Sequence, residues 1–213
     1  MNQPVNVGQK TLNDLLVWIA QRGENIQSAQ KQFQKIQEKT AIYYRKMDSR
    51  ELEALLAAGA PGTMSTSEKN AFIYLPPTEK GPCIVPILSV EYNYATEPPE
   101  ATLRIALFLL DSKDDIKAIG YRFETASRQG RHRYCHIQHI DGLGQNKFPP
   151  GVEWIPTEYP AFPLDAQDPI ELVICMLVSL YDREILDALE GKFKTFIKSN
   201  IEKMRLYRFT TQL

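Results

Sequence analysis

The chain has no CxxC pair, no apolar run of membrane-spanning length and no surplus of either charge, and each absence narrows what it can be. Its cysteines, Cys83, Cys135 and Cys175, are odd in number and widely spaced, each within an apolar or strand-like run. They read as reduced thiols of a cytosolic protein, not as a disulfide framework. The longest apolar run, ELVICMLVSLY (Glu171 to Tyr181), falls well short of the roughly 20 residues that a membrane-spanning helix needs. The N-terminal MNQPVNVGQK lacks the basic and then apolar pattern of a signal peptide. These features lead us to expect a cytoplasmic protein with no membrane association.

Lys plus Arg number 25 against 26 for Asp plus Glu, so the net charge of −1 gives no overall footprint for nucleic acid or anionic lipid. Local basic patches remain compatible with that balance. HExxH, HxH and DxD motifs are also missing, as are kinase, hydrolase, dehydrogenase and nucleotide-binding patterns. The cofactor, if one is used, is left unknown by these patterns.

What is present is an ordinary globular composition: 213 residues, 43% of them apolar and 24% charged. A body of this size buries roughly 70% of its unfolded surface, enough for a core without staples. The expected organisation is a helical arm over residues 1–60 and an α+β body over 61–213.

Thr11 to Met47 contains no proline and a single glycine, Gly23. Its apolar residues, among them Leu12, Leu15, Leu16, Ile19, Ile26, Phe33, Ile36 and Tyr43, recur at helical spacing, which predicts one long helix weakened at Gly23. In a heptad frame Ile26 and Phe33 fall at a, Ala29 and Ile36 at d, and the other faces between them are polar. So narrow a seam must pack on the protein's own sheet or C-terminal helices, or on a partner helix. Asp48 followed by Glu51 has capping-box spacing and starts a short helix ending near Gly59.

From Ala71 the texture becomes β. Five runs, at 71–75, 83–94, 102–110, 116–125 and 132–140, are separated by turn-forming segments, and this predicts an antiparallel meander of about five strands. Pro86 suggests a bend or an edge near the start of the second run. The third, TLRIALFLL, reads as a central strand apolar on both faces. Residues 141–167 form a proline-rich loop with Trp154, Tyr159 and Phe162, too aromatic for a solvated linker and expected to lie pinned across the body. Asp168, Pro169 and Glu171 then open a helix that is apolar almost all round, and a second, amphipathic helix follows to about residue 207.

The stretch RHRYCHIQH (Arg131 to His139) holds every histidine of the chain. Its Tyr, Cys, Ile and His content and the preceding Gly-containing turn predict a strand. Side chains then alternate, with His132, Tyr134, His136 and Gln138 on one face and Arg133, Cys135, Ile137 and His139 on the other. Pairing with the preceding strand at position sums near 258 sets Phe123 opposite Cys135 and Arg122 opposite His136, and brings both apolar sets to one side. The apolar pattern dictates the parity of this register more firmly than the sum itself.

The result is a polar hairpin face: Arg122, Glu124, His132, Tyr134, His136 and Gln138. Imidazole titrates near neutrality, a carboxylate accepts a proton, and guanidinium holds an oxyanion, so acid–base catalysis by His132 or His136 with Glu124 is conceivable. So is a metal site on His132, His136 and Glu124. The plainer reading is a wet sheet face carrying cross-strand polar pairs such as Arg122 with Glu124. Cys135, on the apolar side, reads as a small core residue. Around the hairpin tip, Arg128, Arg131 and Arg133 could grip phosphate or nucleic acid, with the basic run KMRLYR near the C-terminus, although hairpin tips are commonly charged for solubility.

Three functions are compatible with these features. The first is a non-enzymatic accessory or interaction subunit of a larger intracellular assembly, meeting a protein partner or a second copy through the long helix and the aromatic loop. The second is a small metal-dependent or general-base hydrolase or nuclease with its site on the polar hairpin face. The third is a nucleic-acid-binding module built on the arginine-rich tip.

Overall fold

The computed structural model describes residues 7–24, 31–58, 62–78, 83–111, 113–126, 135–143, 146–147, 149, 151–154, 162–164, 166 and 168–181. They form an α+β fold around a mostly antiparallel mixed sheet. In chain order the elements are α1 (Val7–Glu24), α2 (Lys31–Thr40), β1 (Arg45–Lys46), α3 (Ser49–Ala58), β2 (Thr63–Ser65), β3 (Ala71–Tyr74), β4 (Ile84–Asn93) and β5 (Glu100–Leu110). There follow β6 (Ile116–Glu124), β7 (His136–Ile140), β8 (Gly142–Leu143), β9 (Asn146–Lys147), β10 (Val152–Trp154), β11 (Phe162–Pro163) and α4 (Pro169–Tyr181). No described helix is long and apolar enough to cross a membrane.

The five expected strands are β3 to β7, and they pair consecutively as a meander. Among the described residues the sheet is nevertheless larger than the sequence pattern indicates, because nine strands join it. β1 adds in parallel beside β3, and β2 pairs with the far end of β4. Parts of the expected loop at 141–167 are strands too: β8 and β9 form a small hairpin, β10 lies parallel to β6, and β11 lies antiparallel to β7. Two- and three-residue strands are too short to show any periodicity, and so the sequence conceals them. Pro86 sits where β3 runs out: its carbonyl accepts from the Leu75 N–H, and a prolyl nitrogen has nothing to donate in return.

Both faces of the sheet carry a core. On the first, Ile73, Leu88, Val90, Leu103, Ile105 and Phe123 pack with Leu12, Leu15, Leu16 and Ile19 of α1, Leu52 of α3 and the apolar flank of α4. On the second, Phe72, Tyr74, Val85, Ile87, Ala106 and Phe108 pack with Phe33 and Ile36 of α2 and with Tyr44. The first two helices therefore lie on opposite faces. The expectation of a single helix to Met47 fails on this point, since α2 stops at Thr40 and Arg45–Lys46 are already a strand.

The Thr40 hydroxyl donates to the Ile36 carbonyl at 2.7 Å, and the Tyr74 hydroxyl donates to the Tyr44 carbonyl at 2.6 Å. The Tyr74 bond and the 3.4 Å contact between the Thr40 and Tyr74 hydroxyls tie the end of α2 to β3. Where it is described, the seam packs inside the chain, with Ile36 fully buried and Phe33 nearly so; Ile26 and Ala29 lie outside the described residues.

Two helix starts follow the capping chemistry expected of them. Asp48 Oδ1 accepts from the Glu51 N–H at 2.7 Å, and Asp168 Oδ1 accepts from the N–H groups of Ile170 and Glu171 at 2.8 and 2.9 Å. Residues 169 to 177 of α4 are all buried. Replacing Asp168 by alanine is expected to cost about 1 kcal/mol, read as a lower urea midpoint at unchanged slope. The second C-terminal helix lies outside the described residues.

Candidate functional site

The second face is apolar only at the end covered by α2. Successive cross-strand rows show the change. Ile87, Ala106, Gly120 and Ile140 stand opposite one another in an apolar row; Ser89, Arg104, Arg122 and Gln138 form the next. Beyond it lies a row of Ser65, Glu91, Thr102, Glu124 and His136. Rows two residues apart along a strand are separated by about 7 Å. A band rich in donors is therefore flanked by a core on one side and by an acidic band on the other.

The sequence-based register is off by two residues but right in parity. Phe123 faces Ile137, not Cys135, and Glu124 faces His136, while Arg122 faces Gln138 instead of His136. Because the slip is even, Cys135 and Ile137 still join the first core beside Phe123, and His136 and Gln138 remain on the polar side. Burial pushes the Cys135 thiol up, away from the reactive thiolate. His139, on the first face, packs against Tyr121 with the rings tilted by 42° and their centroids 4.7 Å apart.

Of the residues expected to form a site, the fold brings Arg122, Glu124, His136 and Gln138 together. His132, Tyr134, Arg128, Arg131 and Arg133 lie outside the described residues. Glu124 is the hub of the group. Its Oε1 accepts from the Thr102 hydroxyl at 3.4 Å and lies 3.3 Å from Arg122 Nε, and its Oε2 lies 3.2 Å from His136 Nε2. The last two contacts are close but not aligned for linear hydrogen bonds. The His136 side chain is 2% exposed and Glu124 22%.

A second hub, which sequence reasoning missed, is Glu91. Its Oε1 accepts from Arg104 Nη1 and from the Ser67 hydroxyl, each at 2.7 Å, and Ser67 meets Ser65 at 2.9 Å. The available signal was an arginine in the middle of TLRIALFLL. A strand covered by apolar layers along its whole length has no place for a charge, so Arg104 marks where the cover of β5 stops. Arg104 and Arg122 are directly opposite on neighbouring strands, an arrangement that costs energy unless counter-charges offset it. Glu91 and Glu124 supply them.

Among the described residues no three His, Cys, Asp or Glu side chains are grouped so as to hold a metal ion, and His136 and Glu124 form only a pair. The architecture defined here is a mixed, mostly antiparallel sheet with helices on both faces and a half-polar second face. No known protein family, curated protein or solved structure matches the chain.

Proposed function

We propose that the chain is a non-enzymatic interaction subunit of a larger assembly, and that its contact surface is the polar half of the second sheet face. One observation supports this reading above the others: the ionisable groups of that face are directed at one another. Glu91 is engaged by Arg104 and Ser67, Glu124 by Arg122 and Thr102, and His136 is buried beside Glu124. A general base has to reach a substrate proton. A buried imidazole beside an occupied carboxylate serves better to hold a rigid, hydrogen-bonding surface in place.

We set the proposed surface on this face and not on the long helix and the aromatic loop. Phe33 and Ile36 are consumed by the protein's own core, and the loop is paired to the sheet at Val152–Trp154 and Phe162–Pro163. The reading is tested with protein expressed in its native host and sized by gel filtration with light scattering. The Arg104→Gln/Arg122→Gln variant is expected to elute at monomer mass while the wild type carries a partner. A Lys31→Ala/Lys35→Ala variant on the exposed side of α2 is expected to keep it. Dissociation by the α2 variant instead would place the contact elsewhere.

A second reading, a general-base hydrolase, is favoured by the convergence of Arg122, Glu124 and His136 within 3.3 Å. Its test is phosphoester or ester turnover that disappears in His136→Ala; such a loss would overturn the non-enzymatic reading. Nucleic-acid binding through Arg128, Arg131 and Arg133 would show as a steep salt dependence that flattens when these are neutralised.

A further inference from the structure

We propose that Arg104 and Arg122 together clamp a carboxylate of the partner, the side chain of an aspartate or glutamate laid across β5 and β6. The inference rests on the reading above and names the chemistry of the surface.

The two arginines are cross-strand neighbours, which places their Cβ atoms about 5 Å apart on one face. Each is held to its glutamate through a single nitrogen, Arg104 by Nη1 at 2.7 Å and Arg122 by Nε at 3.3 Å. A guanidinium has five N–H donors in a planar fork. Each head therefore keeps most of its donors for another acceptor. Side-chain exposures of 20% and 28% leave both heads reachable yet partly shielded from water, where a charge-assisted bond gains strength. Gln138 adds an amide in the same row.

Charge balance selects the occupant. Two arginines and two glutamates sum to zero, so attraction for an anion is local to the guanidinium heads, and Glu91 and Glu124 in the adjacent row repel a dianion about twice as strongly as a monoanion. A singly charged, planar carboxylate matches the fork and adds a single negative charge.

The test follows the arginine Nε–Hε resonances of the full chain by NMR at constant ionic strength, with acetate, a singly charged carboxylate, as the probe and inorganic phosphate as its rival. Acetate is expected to move the Arg104 and Arg122 signals along one saturating curve. Arg104→Lys or Arg122→Lys, which keeps the charge and the aliphatic stem but loses the fork, is expected to weaken that curve by on the order of tenfold. Glu91→Gln, which frees Arg104, is expected to tighten it, a gain that a purely structural arginine would not give.

Shifts that fail to saturate, or phosphate binding more tightly than acetate, would overturn the proposal. If the double glutamine variant still loses its partner while acetate does not bind, the clamp is wrong and the contact surface stands. If that variant keeps its partner, the contact surface itself is wrong.

Discussion

Replacing Gly23 by alanine is expected to destabilise the protein by about 3 kcal/mol or more, measured as a fall in the urea midpoint against the wild type. Helix propensity alone gives the opposite sign, since alanine is favoured over glycine by about 1 kcal/mol within a helix. Packing decides the matter. A Cβ at Gly23 would lie 1.8 Å from the carbonyl oxygen of Tyr74 and 2.9 Å from its carbonyl carbon. Both are backbone atoms, so no side-chain rotation relieves the clash. Nor can β3 easily retreat, because Tyr74 is paired with Ile87 in the sheet and its ring is buried in the second core.

The Gly23 carbonyl also accepts from Lys46 Nζ at 3.3 Å, so the end of α1 is seated against both β1 and β3. The exposed neighbour Gln21, changed to alanine, serves as the control and is expected to be nearly neutral. A Gly23→Ala variant as stable as the wild type would mean that α1 does not close onto the sheet edge at that point.

That glycine shows what was legible in the sequence and what was not. Helical spacing located α1 and α2, and Gly23 stood out as a weak point that falls in the last turn of α1, but a period of 3.6 says nothing about which side of a sheet a helix covers. Leu12, Leu15 and Ile19 belong to one core and Phe33 and Ile36 to the other. A run with a continuous seam is therefore two segments serving opposite faces.

In the sheet, alternation dictated the parity of β6 and β7, because placing Arg122 beside Ile137 would put a charge among apolar groups. It did not dictate the register, since a shift of two residues preserves every inside and outside assignment. Half of the polar face escaped notice for a related reason: Glu91 and Arg104 are single charges within strands that read as apolar, and they become a feature only when four strands are laid side by side. The capped helix starts at Asp48 and Asp168 were legible because their chemistry lies within four residues of chain.

The second large effect is expected at Glu124. Glu124→Ala should cost about 2 kcal/mol in chemical denaturation, because it removes the counter-charge of a partly buried guanidinium and the acceptor of the Thr102 hydroxyl, and leaves His136 facing a void. It also leaves Arg122 opposite Arg104 with only Glu91 to offset two positive charges. Glu124→Gln should cost less, near 1 kcal/mol, since the amide oxygen still accepts from Thr102 or Arg122 and the volume is kept. The order of the two variants separates charge from packing: equal losses would mean that the carboxylate's charge contributes nothing and that only its place in the row matters.

A loss confined to stability, with any partner still bound by the residual folded fraction, fits a residue that holds the arginines in position. An alanine variant of wild-type stability would point the other way. A carboxylate that does no structural work while held 3.2 Å from a buried imidazole has the arrangement of an acid–base pair, and the face between β5 and β7 would then have to be tested as a catalytic surface.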